Sequence, residues 1–352
     1  MPFYIIHSTS KTPRYPVFLL HGGPGSPNDW SAHFPSYLLE NHDLIILGYR
    51  GIESDLKLEF SGFDSVFKTQ TSFDTTCFKV QIQKFSDQII QNSYSEYFSL
   101  QNHAADLEEI RKFIQADTVG ILAYSFGGII AQVYDQLFFK AEKRIIFIGS
   151  RPLHHFIPCP LETDSAIWRI NKKYFSSSED TLFEKLNRQS FSGFDLKAKL
   201  GLFSLYYSQD GIKKLKTMLS AKTLAGKIAN KAFYESFIKA KALPDMVLKI
   251  GELSIIDTTN FYFKTTLGTS FFYWLSLFEN KKLYCKLETL DQKESATKSL
   301  WVASTIDVVS PPSVYFKFIK KLYPKSDFMV VEDVLHGDLL NSNRVDAAQM
   351  EC

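Results

Sequence analysis

Val119-Gly120-Ile121-Leu122-Ala123-Tyr124-Ser125-Phe126-Gly127-Gly128 is the stretch on which the fold of this chain turns. Its first five residues are a short apolar run of the kind that forms a buried strand. Ile129 to Phe139 then reads as a helix, with Ile130, Val133, Tyr134, Leu137 and Phe138 on its apolar face. Strand, sharp turn with Ser at the tip, and helix make the context in which a G-x-S-x-G pattern acts as a nucleophile elbow. The turn brings strand and helix so close that the residues flanking the Ser must be small, and the Ser itself takes a strained backbone. Ala123 occupies the first small position, where a methyl group still fits. The plainer alternative is a Gly-rich turn whose Ser caps the helix. Five-residue patterns recur by chance, so the motif alone does not separate the two.

Composition sets limits around that stretch. The 352 residues suit one large core with a substantial insertion, or two modest domains. A chain that is 45% hydrophobic and 22% charged has the balance of an ordinary soluble globular protein. Forty basic against thirty-eight acidic residues, a net charge of +2, argues against nucleic acid or another polyanionic partner. Cys77, Cys159, Cys285 and Cys352 are scattered, with no C-x-x-C and no Cys/His cluster. Neither a disulfide framework nor a metal site is expected, nor any cofactor. Phe3-Ile6 is too short for a signal-peptide core, and no window approaches the ~18 apolar residues of a membrane span. The expected setting is cytoplasmic.

Taken in order, Phe3-Ile6 reads as an edge strand and Pro16-Leu20 as a buried one. His21-Gly22-Gly23-Pro24-Gly25 follows, and its glycines leave backbone N–H groups that no sheet satisfies. A developing oxyanion needs such groups; a plain Gly-Pro turn is the other reading. Asp43-Leu47 is the next strand, leading into Gly48-Tyr49-Arg50-Gly51. Residues 53–94 show weak periodicity and are expected as a surface excursion. Asn102-Ala116 is an amphipathic helix whose early acids and later bases agree with the helix dipole. Ile145-Ile148 closes a first block, and its strand–helix alternation predicts a mostly parallel, doubly wound α/β sheet.

The rhythm then changes. From residue 152 to 298 the chain is helical, aromatic and rich in Lys and Ser, without a clear strand. Leu300-Ala303 resumes the buried-strand pattern, a helix spans Pro312-Leu322, and Phe328-Val331 is the last strand. The predicted organisation is a core made of residues 1–151 and 299–352, interrupted by a helical cap at 152–298, close to the usual size of a domain.

Asp307 and His336 each fall just past the carboxyl end of a strand, the edge where open α/β sheets place their sites. Of eight histidines, only His336 lies beyond residue 155, and it stands where a base is required. A lone loop His is commonly a surface residue; the elbow and the Asp loop reverse that expectation here. Ser125, Asp307 and His336 follow the chain order of the α/β-hydrolase triad. Asp327, Glu332 and Asp333 are fallback acids, set aside because they cluster with the last strand.

The His21-Gly25 motif, the Arg50-Gly51 pair after a strand and the Ser125 elbow resemble the proline iminopeptidases and related tripeptidyl aminopeptidases. These are α/β-hydrolase serine exopeptidases with a helical cap. The resemblance to the tripeptidyl branch is closer, through the long excursion after Arg-Gly, Cys77, Asn102-Glu108 and Thr305-Pro311. It covers residues 16–150 and 299–340. The chain departs from the pattern in Gly48-Tyr49 where Asp-Gln precedes Arg-Gly, and in Phe126 where Trp follows the nucleophile. It also has only twenty residues ahead of His21, and no export signal, which the tripeptidyl branch usually carries.

The resemblance implies a mechanism. His336 accepts the Ser125 proton as Ser125 attacks a carbonyl, Asp307 orients the imidazole, and the backbone N–H groups of Gly23 and Phe126 hold the oxyanion. Arg50 is expected to be buried, paired and structural. In this family the cap supplies the carboxylates that hold the substrate ammonium, with Glu279 and Glu235 as candidates against the simpler reading of solvated helix positions. Aromatics such as Trp168, Tyr206 and Tyr207 are expected to wall the pocket. Three functions stay open: an aminopeptidase acting on small peptides, a carboxylesterase or lipase-like hydrolase of acyl esters, and a non-catalytic binding module. The intact triad set counts against the third.

Overall fold

Among the described residues, seven runs rich in Ile, Leu, Val and Phe pair into one sheet. They are β1 (Phe3–Ile6), β2 (Val17–Leu20), β3 (Leu44–Leu47), β4 (Thr118–Tyr124), β5 (Glu142–Ile148), β6 (Lys298–Ser304) and β7 (Ser326–Val331). The computed structural model describes residues 2–55, 57–63, 75–153, 160–175, 196–220, 232, 244–245, 248–249 and 294–341. The strand order is β1-β3-β2-β4-β5-β6-β7. β1 is antiparallel to β3, and all other neighbours are parallel.

That order fixes where a site can form. From β2 the chain moves to one side to make β3, then crosses to the other side of β2 to make β4. Winding reverses there, so a crevice opens beyond the carboxyl ends of β2 and β4, the switch point of a doubly wound sheet. The His21-Gly22-Gly23 loop leaves one of these ends and Ser125 the other.

Side chains alternate between two cores although both faces are apolar, because successive residues of a strand point to opposite sides. Phe18 and Leu20 join Ile121, Phe147 and Trp301 in the larger core. Against it pack α1 (Thr75–Gln91), α2 (Tyr94–Phe98), α3 (Leu100–Phe113), α4 (Gly127–Leu137) and, after β6, α8 (Pro312–Leu322). Val17 and Leu19 face the smaller core with Leu122, Tyr124 and Val302. Trp30 and the short 3-10 helices Ser36–Glu40 and His336–Asn341 cover part of that face through Leu38 and Leu339.

The expectation of a surface excursion over residues 53–94 is corrected here. Thr75–Gln91 is a helix whose Phe78, Ile82, Phe85 and Ile89 are buried in the larger core. Phe60 and Phe63 pack at a tilt against Phe85, with centroids 5.4 Å away. Ser86 is buried beside them and Cys77 half-buried, and the Lys and Gln around this stripe blur the period. Each fully buried Phe or Ile is worth roughly 1.5–3 kcal/mol, so this segment belongs to the foundation of the fold.

Between β5 and β6 the regular structure among the described residues includes α5 (Pro160–Tyr174), α6 (Leu196–Leu205) and α7 (Gln209–Ser220), with no strand among them. A buried polar knot ties the far end of this long excursion to the core. Asp135 of α4 accepts from Ser295 Oγ at 2.5 Å and Thr297 Oγ1 at 2.6 Å, with Lys143 Nζ at 3.4 Å. The chain is thereby returned beside β5 in time to form β6. Among the described residues no helix is long and apolar enough to cross a membrane, and no His, Cys, Asp and Glu cluster could hold a metal ion.

Candidate active site

Ser125 sits between the last residue of β4 and the first turn of α4, with φ of 50°. That left-handed backbone is costly for a residue with a Cβ. It is held by tight packing: the Ser125 N–H donates to the Ile148 carbonyl at 2.8 Å, and Ser150 Oγ donates to the Ser125 carbonyl at 2.9 Å. Gly127 makes the close approach of α4 to β2 feasible, since a Cβ there would stand 2.3 Å from the Leu20 carbonyl oxygen. The bland reading of Ser125 as a helix cap does not hold, because α4 has Phe126 at its N-cap and no side-chain cap hydrogen bond.

The structure brings the three residues read from sequence together. His336 Nε2 lies 3.0 Å from Ser125 Oγ, and His336 Nδ1 lies 2.8 Å from Asp307 Oδ2. Asp307 is fully buried and His336 nearly so. The other carboxylate oxygen of Asp307 accepts the N–H groups of Val309 and Ser310, both at 2.7 Å, which leaves Oδ2 aimed at the imidazole. A carboxylate on Nδ1 keeps the proton there and leaves Nε2 free to accept. The His336 backbone is fixed by Tyr124, whose hydroxyl donates to its carbonyl at 2.8 Å. Gly149, with φ of 56°, lets the ring approach, for a Cβ there would meet His336 Cε1 at 3.1 Å. The fallback acids lie elsewhere: Asp327 is exposed on β7, Glu332 is exposed, and Asp333 pairs with Lys173 at 2.9 Å.

The loop after β2 lies against this group, since a Cβ on Gly22 would stand 3.0 Å from the Ser125 Cβ. Neither the Gly23 N–H nor the Phe126 N–H has an acceptor among the described residues. Several polar residues that the sequence reading passed over hold the loop. Buried Asn28 accepts from the His21 N–H at 2.6 Å and donates to the Leu19 and Leu47 carbonyls at 2.8 and 2.9 Å. Glu53 accepts from the N–H groups of Asn28 and Tyr49, both at 2.8 Å. The Tyr49 hydroxyl donates to the His21 carbonyl at 2.8 Å. Burial pushes the His21 imidazole below its ordinary value, so it stays neutral beside the loop.

Arg50 is paired, as expected, though half-buried rather than buried. Its guanidinium grips Asp106 with two bonds of 2.5 and 2.6 Å and reaches the Tyr97 carbonyl. Glu235 and Glu279 lie outside the described residues. Another acid between β5 and β6 meets the loop after β2. Asp245 Oδ2 accepts the Gly25 N–H at 2.9 Å, while its Oδ1 is buried without a hydrogen-bond partner among the described residues. Burial raises the Asp245 carboxyl above its usual range, opposed by the charge of Lys249 and by the Gly25 amide. Lys249 Nζ and His103 Nδ1 are likewise buried and without a hydrogen-bond partner among the described residues.

Of the expected aromatic wall, Tyr207 packs on His336 with ring centroids 6.0 Å apart, and its backbone carbonyl accepts the Gly337 N–H at 2.6 Å. Tyr206 is buried and donates to Asn171 at 3.0 Å. Trp168 is exposed, with Lys172 over its ring.

Comparison with known proteins agrees with this architecture. Residues 15–342 match the family model described as alpha/beta hydrolase fold. Among solved structures, a hydrolase from Oleispira antarctica is similar at 15% identity, over 99% of this chain and 92% of its own, with a TM-score of 0.47. An esterase from Exiguobacterium antarcticum is 15% identical over the same shares, 99% and 92%, with a TM-score of 0.42. A meta-cleavage product hydrolase from Pseudomonas fluorescens IP01 is 12% identical over 99% and 92%, with a TM-score of 0.45. No curated protein matches the sequence.

Proposed function

The chain belongs to the α/β-hydrolase fold family, and from that premise we propose that it is a serine hydrolase with Ser125 as nucleophile, His336 as base and Asp307 as its orienting partner. The observation that carries this reading is the continuous contact from Ser125 Oγ to His336 Nε2 at 3.0 Å and from His336 Nδ1 to Asp307 at 2.8 Å. Ser125 Oγ gives its proton to Nε2 as it bonds to the substrate carbonyl carbon, and Asp307 stabilises the imidazolium. The Gly23 and Phe126 N–H groups face the oxyanion, each donor worth about 3 kcal/mol. Nε2–H then protonates the leaving amine or alcohol. Water, deprotonated by the same nitrogen, frees the acyl group as a carboxylic acid and restores Ser125.

Within that class we propose an aminopeptidase releasing N-terminal units from small peptides, with residues 152–298 as its cap. Asp245 supports this finer reading. A substrate ammonium entering a buried site needs an acceptor, and Asp245 offers an unpartnered oxygen next to the loop after β2. The second reading, an esterase, is favoured by Lys249, whose charge already acts on Asp245 and lessens its call on a substrate amine. A panel of aminoacyl and tripeptidyl amides, their N-acetylated forms, and short and long acyl esters separates the two. Turnover of free-amine amides at least about 100-fold above their acetylated forms supports the peptidase. Turnover of esters alone replaces it with the esterase, and turnover of nothing in the panel removes both.

A further inference from the structure

We propose that the amino-terminal end of the sheet carries a second binding site, separate from the Ser125 group, for a small aliphatic carboxylate. The strand register places its parts. Val17, Gly120, Arg144 and Lys298 are direct partners across β2, β4, β5 and β6, so their side chains leave one face in a single row. Two residues further along, Leu19, Leu122, Ile146 and Leu300 form the next row on that face, with Asp327 of β7 at its end. A charged row beside an aliphatic row is unexpected on the inner strands of a parallel sheet, whose faces are ordinarily apolar and covered by helices.

Here the face opens into a pocket of about 290 Å³, walled by the first row, by Ile146, Leu300 and Asp327 of the second and by Leu38, with Tyr15, His42 and Lys325 also lining it. The centre of the Arg144 guanidinium stands 5.5 Å from the Tyr15 ring, and that ring lies 4.7 Å from the His42 imidazole. Gly120 contributes no side chain, and a Cβ there would stand 3.0 Å from the Tyr15 ring. Arg144, Lys298 and Lys325 form no ion pair among the described residues, although Asp327 lines the same pocket. Three cations against one carboxylate leave the pocket electropositive, while Val17, Leu38, Ile146 and Leu300 give it an aliphatic wall.

A ligand that answers both features has an anionic head and a hydrocarbon tail. The flat guanidinium of Arg144 suits the two oxygens of a carboxylate, with the lysines adding charge nearby. The volume is at the low end of small-molecule sites and admits a tail of about eight carbons. Gly120 to Ser125 is five strand residues at about 3.3 Å each, so this pocket lies roughly 16 Å from Ser125 along β4. It does not rest on the hydrolase reading.

Octanoate is the probe, titrated calorimetrically into the native protein and into protein treated with a fluorophosphonate at Ser125. One equivalent should bind with the same affinity in both. Octanol, which lacks the charge, and acetate, which lacks the tail, should each bind at least about tenfold more weakly. The exposed pair Lys298→Gln/Lys325→Gln should weaken octanoate about tenfold at unchanged thermal midpoint, and Arg144→Gln should weaken it further. The proposal is overturned if octanoate gives no binding heat, if octanol matches it, if the double variant binds as the wild type does, or if fluorophosphonate treatment abolishes binding.

Discussion

The N–H of Gly25 donates to the carboxylate of Asp245 at 2.9 Å, across 220 residues of sequence. The loop after β2 is thus held from two sides, by Asn28, Tyr49 and Glu53 of the first strand block and by one buried acid from the excursion between β5 and β6. The same division recurs at His336. Gly337 N–H donates to the Tyr207 carbonyl, and Gln209 N–H donates to Asp338 at 2.9 Å. The excursion fixes backbone that the Ser125 group depends on.

If Ser125 is the nucleophile, a fluorophosphonate probe labels the wild type and leaves Ser125→Ala unlabelled. Retained labelling in the variant would move the nucleophile to another residue. Removing the hydroxyl should leave the urea midpoint close to that of the wild type, because the elbow is held by backbone and Ser150 contacts that the change does not touch.

Asp307→Asn tests the orienting carboxylate. The Val309 and Ser310 N–H groups demand an oxygen on one side, so the new amide nitrogen would face His336 Nδ1. Two donors then meet, the imidazole shifts its proton to Nε2, and Nε2 no longer accepts from Ser125. By analogy with other triads kcat should fall about 10⁴-fold. A loss under tenfold would show that some other acid orients the ring.

Gly127→Ala probes the packing of the elbow. The added Cβ would stand 2.3 Å from a backbone oxygen, that of Leu20, which has no rotamer by which to withdraw. Strand β2 and helix α4 must separate, at a cost of about 3 kcal/mol in urea unfolding. A variant as stable as the wild type would mean that the helix is seated more loosely than these distances state.

The parts legible in sequence were those whose constraint is local. The elbow announces itself because Ser125 needs small neighbours within two positions, and the strands because their apolar runs are bounded by turns. Asp307 was preferred to Asp327, Glu332 and Asp333 because those three cluster with the last strand. The buried stripe of α1 was hidden by flanking Lys and Gln, and it became clear only against the tilted ring cluster of Phe60, Phe63 and Phe85. Asn28 reads in sequence as an ordinary turn residue, and only the fold shows it bridging two strand ends. Asp245 carries no signal in its own neighbourhood; its role is set entirely by a partner 220 residues away.

His103 on α3 gives the pH dependence. It is 2% exposed, and burial, with smaller effects from Lys249 and Arg50, drives its imidazole well below the ordinary 6.5. The folded chain keeps it neutral while the unfolded chain takes up a proton near 6.5, so the unfolded state binds more protons below that pH. Its contribution to stability is intact above pH 6.5 and is lost as pH falls below it, by up to about 1.4 kcal/mol per pH unit. Urea midpoints at pH 7.5 and 5.5 should therefore differ, and His103→Leu should narrow the gap. An equal gap in both proteins would assign the acid sensitivity to other groups, of which His21, also lowered by burial, is the first to examine.

The sharpest test falls on Asp245, because two substitutions separate its two roles. Asp245→Asn keeps an oxygen that can accept from Gly25 N–H, so the loop after β2 stays tied while the negative charge is gone. Asp245→Ala removes both the tie and the charge. If the acid receives a substrate amine, Asp245→Asn should raise KM for free-amine peptides by about 10- to 100-fold, the loss of one buried charge-assisted bond. Its kcat on a simple acyl ester should change by less than about threefold, since that substrate brings no ammonium. Asp245→Ala should in addition lower kcat on the ester, because the loop carrying the Gly23 N–H is released. Peptide KM unchanged in Asp245→Asn would remove the amine role and favour the esterase reading. Ester kcat unchanged in Asp245→Ala would show that Asn28, Tyr49 and Glu53 hold the loop without help from the far side.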